Sequence, residues 1–163
     1  MPVIAVVTGH CYGGGLQIAL GADFRFCSPD SDFSVLEAKW GLIPDMSLSV
    51  SIAQLTSIDI AKRLTMTAEF FTANQAHEWG LVSGVADDPY AAADELIAQI
   101  RKRSPDAVAA SKSLFENTWF NGSWLSFPVE QALQVRLLRG RNHAIARKAG
   151  LSKEEPEFGS RQF

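Results

Sequence analysis

Apolar and polar positions in the first half of the chain follow two alternating periodicities. Short apolar runs predict β-strands at residues 3–7, 24–27, 32–35 and 81–85. Helical spacing of apolar positions predicts helices at residues 16–21, 47–55 and 59–66. The T-x-x-Q capping box at residues 72–75 opens a further helix, which Gly80 closes. Strands that alternate with helices indicate an α/β layer with parallel strand pairing.

The second half of the chain carries helical signals. Ser104-Pro105-Asp106 is typical of a helix start, with an N-cap serine, a proline at the first helical position and an acid in the first turn. Val129, Leu133 and Leu137 recur at four-residue spacing, which predicts an amphipathic helix. Helices are predicted at residues 91–103, from 104 to about 119, around 129–137 and from 140 to 149, with a break at 121–123.

These patterns divide the chain into two parts. We expect an α/β part over residues 1–88 and a helical part over residues 89–163. The chain after Ser152 is polar, and we expect it to be loose.

Composition narrows the class of protein. The 163 residues are 47% hydrophobic and 20% charged, with a net charge of −3, which is typical of a globular domain and excludes a basic nucleic-acid surface. No apolar stretch is long enough to cross a bilayer. Cys11 and Cys27 lack metal-ligand spacing and are expected to be buried, reduced thiols. His77 and His143 lie on different predicted helices, so we expect no metal site. No signal-peptide pattern follows Met1-Pro2, and we expect a cytoplasmic protein without a membrane or nucleic-acid partner.

Three consecutive glycines, Gly13 to Gly15, lie between a predicted strand and a predicted helix. The dinucleotide fingerprint G-x-G-x-x-G is not met, and the Lys-Ser/Thr pair of a P-loop does not follow. Two interpretations remain from the residues alone. The glycines permit close packing of the helix on the strand, or they let the backbone approach a ligand. In the second case the N–H groups that begin the helix bind a phosphate or an oxyanion.

Residues 2–45, PVIAVVTGHCYGGGLQIALGADFRFCSPDSDFSVLEAKWGLIPD, resemble the crotonase superfamily of enoyl-CoA hydratases and isomerases. The resemblance continues through Leu64-Thr65, through Gly80-Leu81-Val82 and from Ser104-Pro105 into the C-terminal helices. It implies a partial crotonase-like (ClpP/crotonase) spiral core, an α/β fold that lacks the N-terminal part of the family domain, followed by a helical region. Family members assemble as trimers and hexamers through these helices, so we expect a homotrimer or hexamer.

The resemblance also implies the residues of an acyl-CoA site. Gly14 matches the peptide N–H that forms half of an oxyanion hole for the thioester carbonyl, and Gly13 lies beside it. Glu37 matches a glutamate that transfers protons. Leu36 and Trp40 are its expected apolar neighbours in the substrate site.

Three further positions carry open alternatives. Hydratases of the family have a second carboxylate where this chain has Gln17, whose amide cannot transfer a proton at neutral pH. Gln17 is therefore expected either to orient water or substrate or to be a polar residue on a helix flank. Asp45 lies where dienoyl-CoA isomerases carry an acid, and it is also placed to cap the helix predicted from Ser47. His10 is expected to line the pocket or to pack.

The resemblance implies an acyl-CoA thioester enzyme of the enoyl-CoA hydratase/isomerase type, a lyase or isomerase of fatty acid metabolism such as β-oxidation. Its enolate is stabilised by the oxyanion hole, and protons move through Glu37 with help from Asp45. No separate cofactor is expected, because coenzyme A is the thioester part of the substrate. Two rivals stay open: hydration by Glu37 with Gln17 assisting, and a truncated, inactive subunit that serves only as a structural or oligomerisation module.

Overall fold

The computed structural model describes residues 1–120 and 123–162. It contains two compact units, one over Val3–Asp94 and one from Glu95 onward. The predicted division after residue 88 stays a prediction. Two of the three residues of the predicted break, Asn121 and Gly122, lie outside the described residues.

Two small sheets form the first unit, as far as the described residues show. Their strands are β1 (Ile4–Val7), β2 (His10–Tyr12), β3 (Phe24–Cys27), β4 (Asp32–Ser34), β5 (Phe70–Thr72) and β6 (Gly84–Val85). One sheet has the order β1-β3-β6 with parallel pairs, and Ile4 lies opposite Phe24. The other has the order β2-β4-β5, parallel between β2 and β4 and antiparallel between β4 and β5. The predicted parallel pairing is therefore confirmed for three of the four strand pairs.

Short helices connect these strands. They are α1 (Gly14–Leu20), a 3₁₀ helix (Leu36–Trp40), α2 (Leu48–Ala53), α3 (Ile58–Thr67) and α4 (Ala73–Glu78). The predicted capping box is confirmed, since the Thr72 hydroxyl accepts from the Gln75 N–H and the Gln75 side chain accepts from the Thr72 N–H.

The strand predicted at residues 81–85 is wrong in extent. Only Gly84–Val85 pair as a strand, whereas the N–H groups of Leu81 and Val82 donate to the carbonyl of Ala76 at the end of α4. Strands β2 and β5 were not predicted, because three residues are too few for an alternating pattern to be recognised.

The core of the first unit lies between the sheets and helices α1 to α4. Its most buried large side chains include Phe33, Phe71, Leu64 and Leu81. Cys11 and Cys27 are buried and unbridged, and burial raises the pKa of the Cys27 thiol to about 11.

A buried arginine holds α1 in place relative to β3. The Arg25 guanidinium donates to the Leu81 carbonyl at 2.7 Å, to the carbonyl of Leu20, the last residue of α1, and to the carbonyl of Ala22, two residues later. Burial lowers the pKa of Arg25, and the nearby Asp23 opposes that shift. Arg25 thus fixes the end of α1, the helix that begins in the glycine run.

The second unit is helical. Its helices are α5 (Pro89–Arg101, which begins in the first unit), α6 (Pro105–Thr118), α7 (Ser123–Leu138) and α8 (Arg141–Ser152). The Ser104 side chain caps α6 by accepting from the Ala107 N–H, as predicted. Val129, Leu133 and Leu137 are half-buried on α7. No helix in the described ranges has both the length and the apolar character needed to cross a membrane.

The expectation of a loose C-terminal segment is wrong. The buried Asp106 carboxylate accepts from the Asn142 side-chain amide at 2.8 Å and from the Gln162 N–H at 2.5 Å. The Asn142 side-chain oxygen Oδ1 in turn accepts from the Gly159 N–H at 2.9 Å. A buried carboxylate at the start of α6 therefore fixes the end of the chain, and polar composition alone did not show this.

Candidate active site

The glycine run forms a tight turn from β2 into α1. Gly13 has φ 50° and ψ −122°, a backbone conformation that side-chain-bearing residues rarely adopt, and its N–H donates to the Ser34 carbonyl at 3.0 Å. Gly14 is the first helical residue, and an N–H at that position has no partner within its own helix. The Gly13 N–H is therefore used by the fold, whereas the Gly14 N–H is a candidate donor to a ligand.

Absent side chains at two of the glycines leave room for other site residues. A Cβ added to Gly13 would lie 3.4 Å from Glu37 Oε1, and one added to Gly14 would lie 3.0 Å from the Met46 sulfur. A Cβ on Gly15 would meet nothing within 4 Å. The first two glycines thus let Glu37 and Met46 approach the backbone closely.

Gln17 and Glu37 form the centre of the site. Gln17, on α1, is only 2% exposed. Its Nε2 donates to Glu37 Oε1 at 2.5 Å, and its Oε1 accepts from the Met46 N–H at 2.8 Å. The structure thus brings together Gly13, Gln17 and Glu37, and it adds Met46.

The second oxygen of Glu37 has no partner. Oε2 is buried and accepts no hydrogen bond from any residue within 1–120 and 123–162. The large majority of buried polar side-chain atoms are hydrogen-bonded, and a catalytic role is one explanation for an exception. A carboxylate oxygen without a hydrogen-bond partner can accept a proton from a bound substrate or return one to it.

The other residues expected around Glu37 lie in different surroundings. Leu36 is half-buried, and its Cβ is 4.0 Å from the position of a Gly13 Cβ. Trp40 is 68% exposed, with the Lys39 ammonium 5.9 Å from its ring centre. Asp45 is exposed in the loop before α2. The N-cap residue of α2 is Ser47, so the alternative role of Asp45 as the cap is wrong.

His10 belongs to a separate polar cluster on the exposed face of β2 and β4. Its Nδ1 lies 2.5 Å from Asp32 Oδ1, and the Tyr12 hydroxyl donates to Asp32 Oδ2 at 2.6 Å. That hydrogen bond raises the pKa of Tyr12 to about 12, and the bonds from Tyr12 and His10 lower the pKa of Asp32. No hydrogen bond found among the described residues joins this cluster to Glu37.

Sequence reasoning missed Tyr12, Asp32 and Met46. Assigning β2 as a strand would have placed His10 and Tyr12 on one face, because side chains alternate along a strand. Met46 contributes a backbone N–H, which no side-chain pattern reveals.

Metal-ligating groups and the open cavity lie outside this site or are absent from the described residues. No group of three or more His, Cys, Asp or Glu side chains in the described part of the chain is arranged to hold a metal ion. An open cavity of about 500 Å³ is lined by residues 53–57, Ile60 and residues 78–80, which include none of the predicted site residues.

Known proteins resemble this chain in sequence and in structure. The chain matches the enoyl-CoA hydratase/isomerase family over residues 1–160. It is 35% identical over 119 residues to carnitinyl-CoA dehydratase from Salmonella typhi, covering 72% of this chain and 46% of that protein. The crystal structure of an enoyl-CoA hydratase from Polaromonas sp. JS666 superposes with a TM-score of 0.90 at 31% identity, covering 97% of this chain and 62% of that one. Enoyl-CoA hydratase from Mycobacterium tuberculosis H37Rv gives a TM-score of 0.91 at 27% identity, covering 97% and 64%.

These similarities confirm the predicted fold class, a partial crotonase-like α/β core followed by helices. The chain spans about half the length of the curated relatives that it matches. Because the match to the family extends over almost every residue, the chain belongs to the enoyl-CoA hydratase/isomerase family.

Proposed function

We propose that this chain binds acyl-CoA thioesters and moves a proton at the carbon next to the thioester carbonyl, by way of an enolate. The observation that carries the proposal is the Glu37 carboxylate, with Oε1 held by Gln17 and Oε2 buried and unpartnered. The carboxylate lies beside the glycine turn through Oε1, which is 3.4 Å from the position of a Gly13 Cβ, and the Gly14 N–H is a candidate donor in that turn.

The proposed chemistry uses these two groups. Glu37 Oε2 takes a proton from C2 of the acyl group, and the C–H electron pair moves into the thioester so that its carbonyl oxygen becomes an enolate oxygen. The Gly14 N–H donates to that oxygen, and a fixed donor of this kind lowers the barrier by about 3 kcal/mol. The enolate then takes the proton back at C2, or at C4 when a double bond shifts.

The substrate class is supported by the relatives. Carnitinyl-CoA dehydratase and the enoyl-CoA hydratases are both named for coenzyme A derivatives. Coenzyme A is then the thioester part of the substrate, and the proposal needs no separate cofactor or metal.

Asp45 is proposed as a second proton carrier for double-bond migration. It is an exposed carboxylate eight residues after Glu37. Asp45→Asn is then expected to slow the isomerisation of enoyl thioesters and to leave proton exchange at C2 unchanged. Equal loss of both activities would assign Asp45 to another role.

The proposal is tested by proton exchange at C2 of butyryl-CoA in D₂O, followed by NMR. This half-reaction needs only a base and a stabilised enolate. Glu37→Gln removes the base and is expected to slow exchange by about 100-fold or more. Glu95→Gln changes an exposed glutamate on α5 and serves as the matched control.

Two results would contradict the proposal. Full exchange by Glu37→Gln would remove the role of Glu37. Absence of exchange by the folded wild-type chain would favour the inactive structural module.

Assembly and location are finer points of the same proposal. The family resemblance implies a homotrimer or hexamer in the cytoplasm, acting in fatty acid β-oxidation, and each of these stays a prediction. Light scattering tests the first, with a mass of three or six chains expected.

A further inference from the structure

We infer that Gln17 is a positioning residue, whose amide fixes one oxygen of Glu37 and so assigns proton transfer to the other. The inference rests on the proposed function and deepens it, because it names the group that orients the base. It also gives a role to the residue at which this chain departs from the two-carboxylate pattern.

The orientation of the Gln17 amide follows from its two partners. A carboxylate oxygen only accepts, and a backbone N–H only donates. The Nε2 group must therefore face Glu37 Oε1, at 2.5 Å, and the carbonyl oxygen must face the Met46 N–H, at 2.8 Å. The amide has one orientation in which both bonds form, and burial to 2% exposure keeps water from replacing either partner.

The two carboxylate oxygens of Glu37 therefore lie in different environments. Oε1 receives a short, charge-assisted hydrogen bond and lies against the side-chain-free face of Gly13. Oε2 is buried without a partner among the described residues. A half-turn of the carboxylate would exchange the two oxygens, and the bond from Gln17 opposes any rotation away from this arrangement.

The same amide couples the base to the loop that follows it. The Glu37 carbonyl accepts from the Leu42 N–H at 3.1 Å, which ties the backbone of the base to the start of the loop. Gln17 ties the side chain of the base to Met46, near the end of that loop. One buried residue of α1 therefore holds the carboxylate and the segment that packs over Gly14.

Glutamine is suited to this task because it supplies one donor and one acceptor at the same reach. An ionised glutamate at position 17 has no proton to donate, and its charge would repel Glu37. A methionine has a similar shape and offers neither bond, so Gln17→Met isolates the hydrogen bonds from the volume.

The test compares wild type, Gln17→Met and the matched control Gln99→Met, which changes an exposed glutamine on α5. Proton exchange at C2 of butyryl-CoA is expected to be about 100-fold slower in Gln17→Met, since misplacing a catalytic group by about 1 Å has an effect of this order. Binding of acetoacetyl-CoA is expected to stay unchanged, so the loss falls on kcat and not on KM. A purely structural role would lower thermal stability without this split.

A second readout needs no turnover and no destabilised variant. In the wild-type chain a side-chain amide proton of Gln17 is expected far downfield in the ¹H–¹⁵N NMR spectrum, because its acceptor is a carboxylate at 2.5 Å. Glu37→Gln is expected to move that signal upfield. A Gln17 signal that is the same in both chains would overturn the inference.

The outcomes separate the inference from the function that it deepens. If the wild type and Gln17→Met exchange the C2 proton at the same rate, the positioning role is overturned and the proposed function stays intact. Absence of exchange by the wild type would overturn the proposed function, and the positioning role would fall with it.

Discussion

Gly13 determines how close the Glu37 carboxylate comes to the backbone. Its positive φ turns the chain from β2 into α1, and the missing Cβ leaves space for Glu37 Oε1. Both requirements act at one residue, and neither applies to Gly15, which lies inside α1 with open space around it.

Gly13→Ala is therefore expected to destabilise the folded chain, whereas Gly15→Ala is not. The first substitution forces a strained backbone, which costs about 1–3 kcal/mol of stability. The second replaces a glycine inside a helix and is expected to raise the free energy of unfolding by about 0.5–1 kcal/mol. Thermal or urea unfolding of the two variants gives the difference, and equal stabilities would contradict the assigned role of Gly13.

A second prediction at the scale of a single residue concerns the pKa of Tyr12, which donates a hydrogen bond to Asp32. The pKa of Tyr12 is raised to about 12, since the phenol donates to a carboxylate that disfavours its ionisation. In a Tyr90→Phe background Tyr12 is the only tyrosine, so tyrosinate absorbance reports its titration. Asp32→Asn is expected to return the pKa of Tyr12 toward about 10.

The sign of the accompanying stability change follows. A raised pKa in the folded chain stabilises it fully below about pH 10 and loses that effect as the pH rises toward 12. A titration of Tyr12 that Asp32→Asn leaves unchanged would show that this hydrogen bond does not form in solution.

Residue types and family resemblance predicted part of the site. They selected Gly13, Gln17 and Glu37, which the structure brings together. The partner of Gln17 was not predictable, since a hydrogen bond between residues 20 positions apart depends on the packing of α1 against the 3₁₀ helix. The expected apolar neighbour Trp40 shows the same limit, because its spacing says nothing about its 68% exposure.

Among the elements, α6 shows how one buried acid organises a chain end. The sequence predicted its serine cap, its first-turn proline and Asp106 from local signals, and the structure confirms the cap. Those signals assign Asp106 to the helix start alone. They do not reveal that the carboxylate also accepts from Asn142 of α8 and from the Gln162 backbone.

Asp106→Ala is expected to release the C-terminal segment. Removing the acceptor takes one partner from the buried Asn142 amide and the partner from the Gln162 N–H, which costs about 1–3 kcal/mol. Limited proteolysis after residue 153 is expected to be faster in Asp106→Ala than in the wild type. Asp94→Ala, which changes an exposed acid on α5, is expected to be cleaved at the wild-type rate. An unchanged cleavage rate in Asp106→Ala would mean that other contacts hold the segment.

Elements with strong local signals were the best predicted. The capping box of α4 and the cap of α6 fixed their helix starts, because capping needs specific residues at specific positions. The three-residue strands β2 and β5 carry no such signal, and pairing with β4 is what makes them strands.

For the whole molecule, the central claim is that this chain itself forms a thioester site. The chain matches its family over residues 1–160 and spans 46% of a curated relative. The described residues place a clamped carboxylate with one free oxygen beside the glycine turn. A direct binding experiment decides the claim.

That experiment is a calorimetric titration of the folded chain with acetoacetyl-CoA, whose acidic C2 lets it mimic the enolate. The account predicts binding with a dissociation constant on the order of micromolar, within the usual range for enzyme substrates. It also predicts that Glu37→Gln retains this binding. Absence of binding by the folded chain would contradict the central claim and favour a structural module without a thioester site.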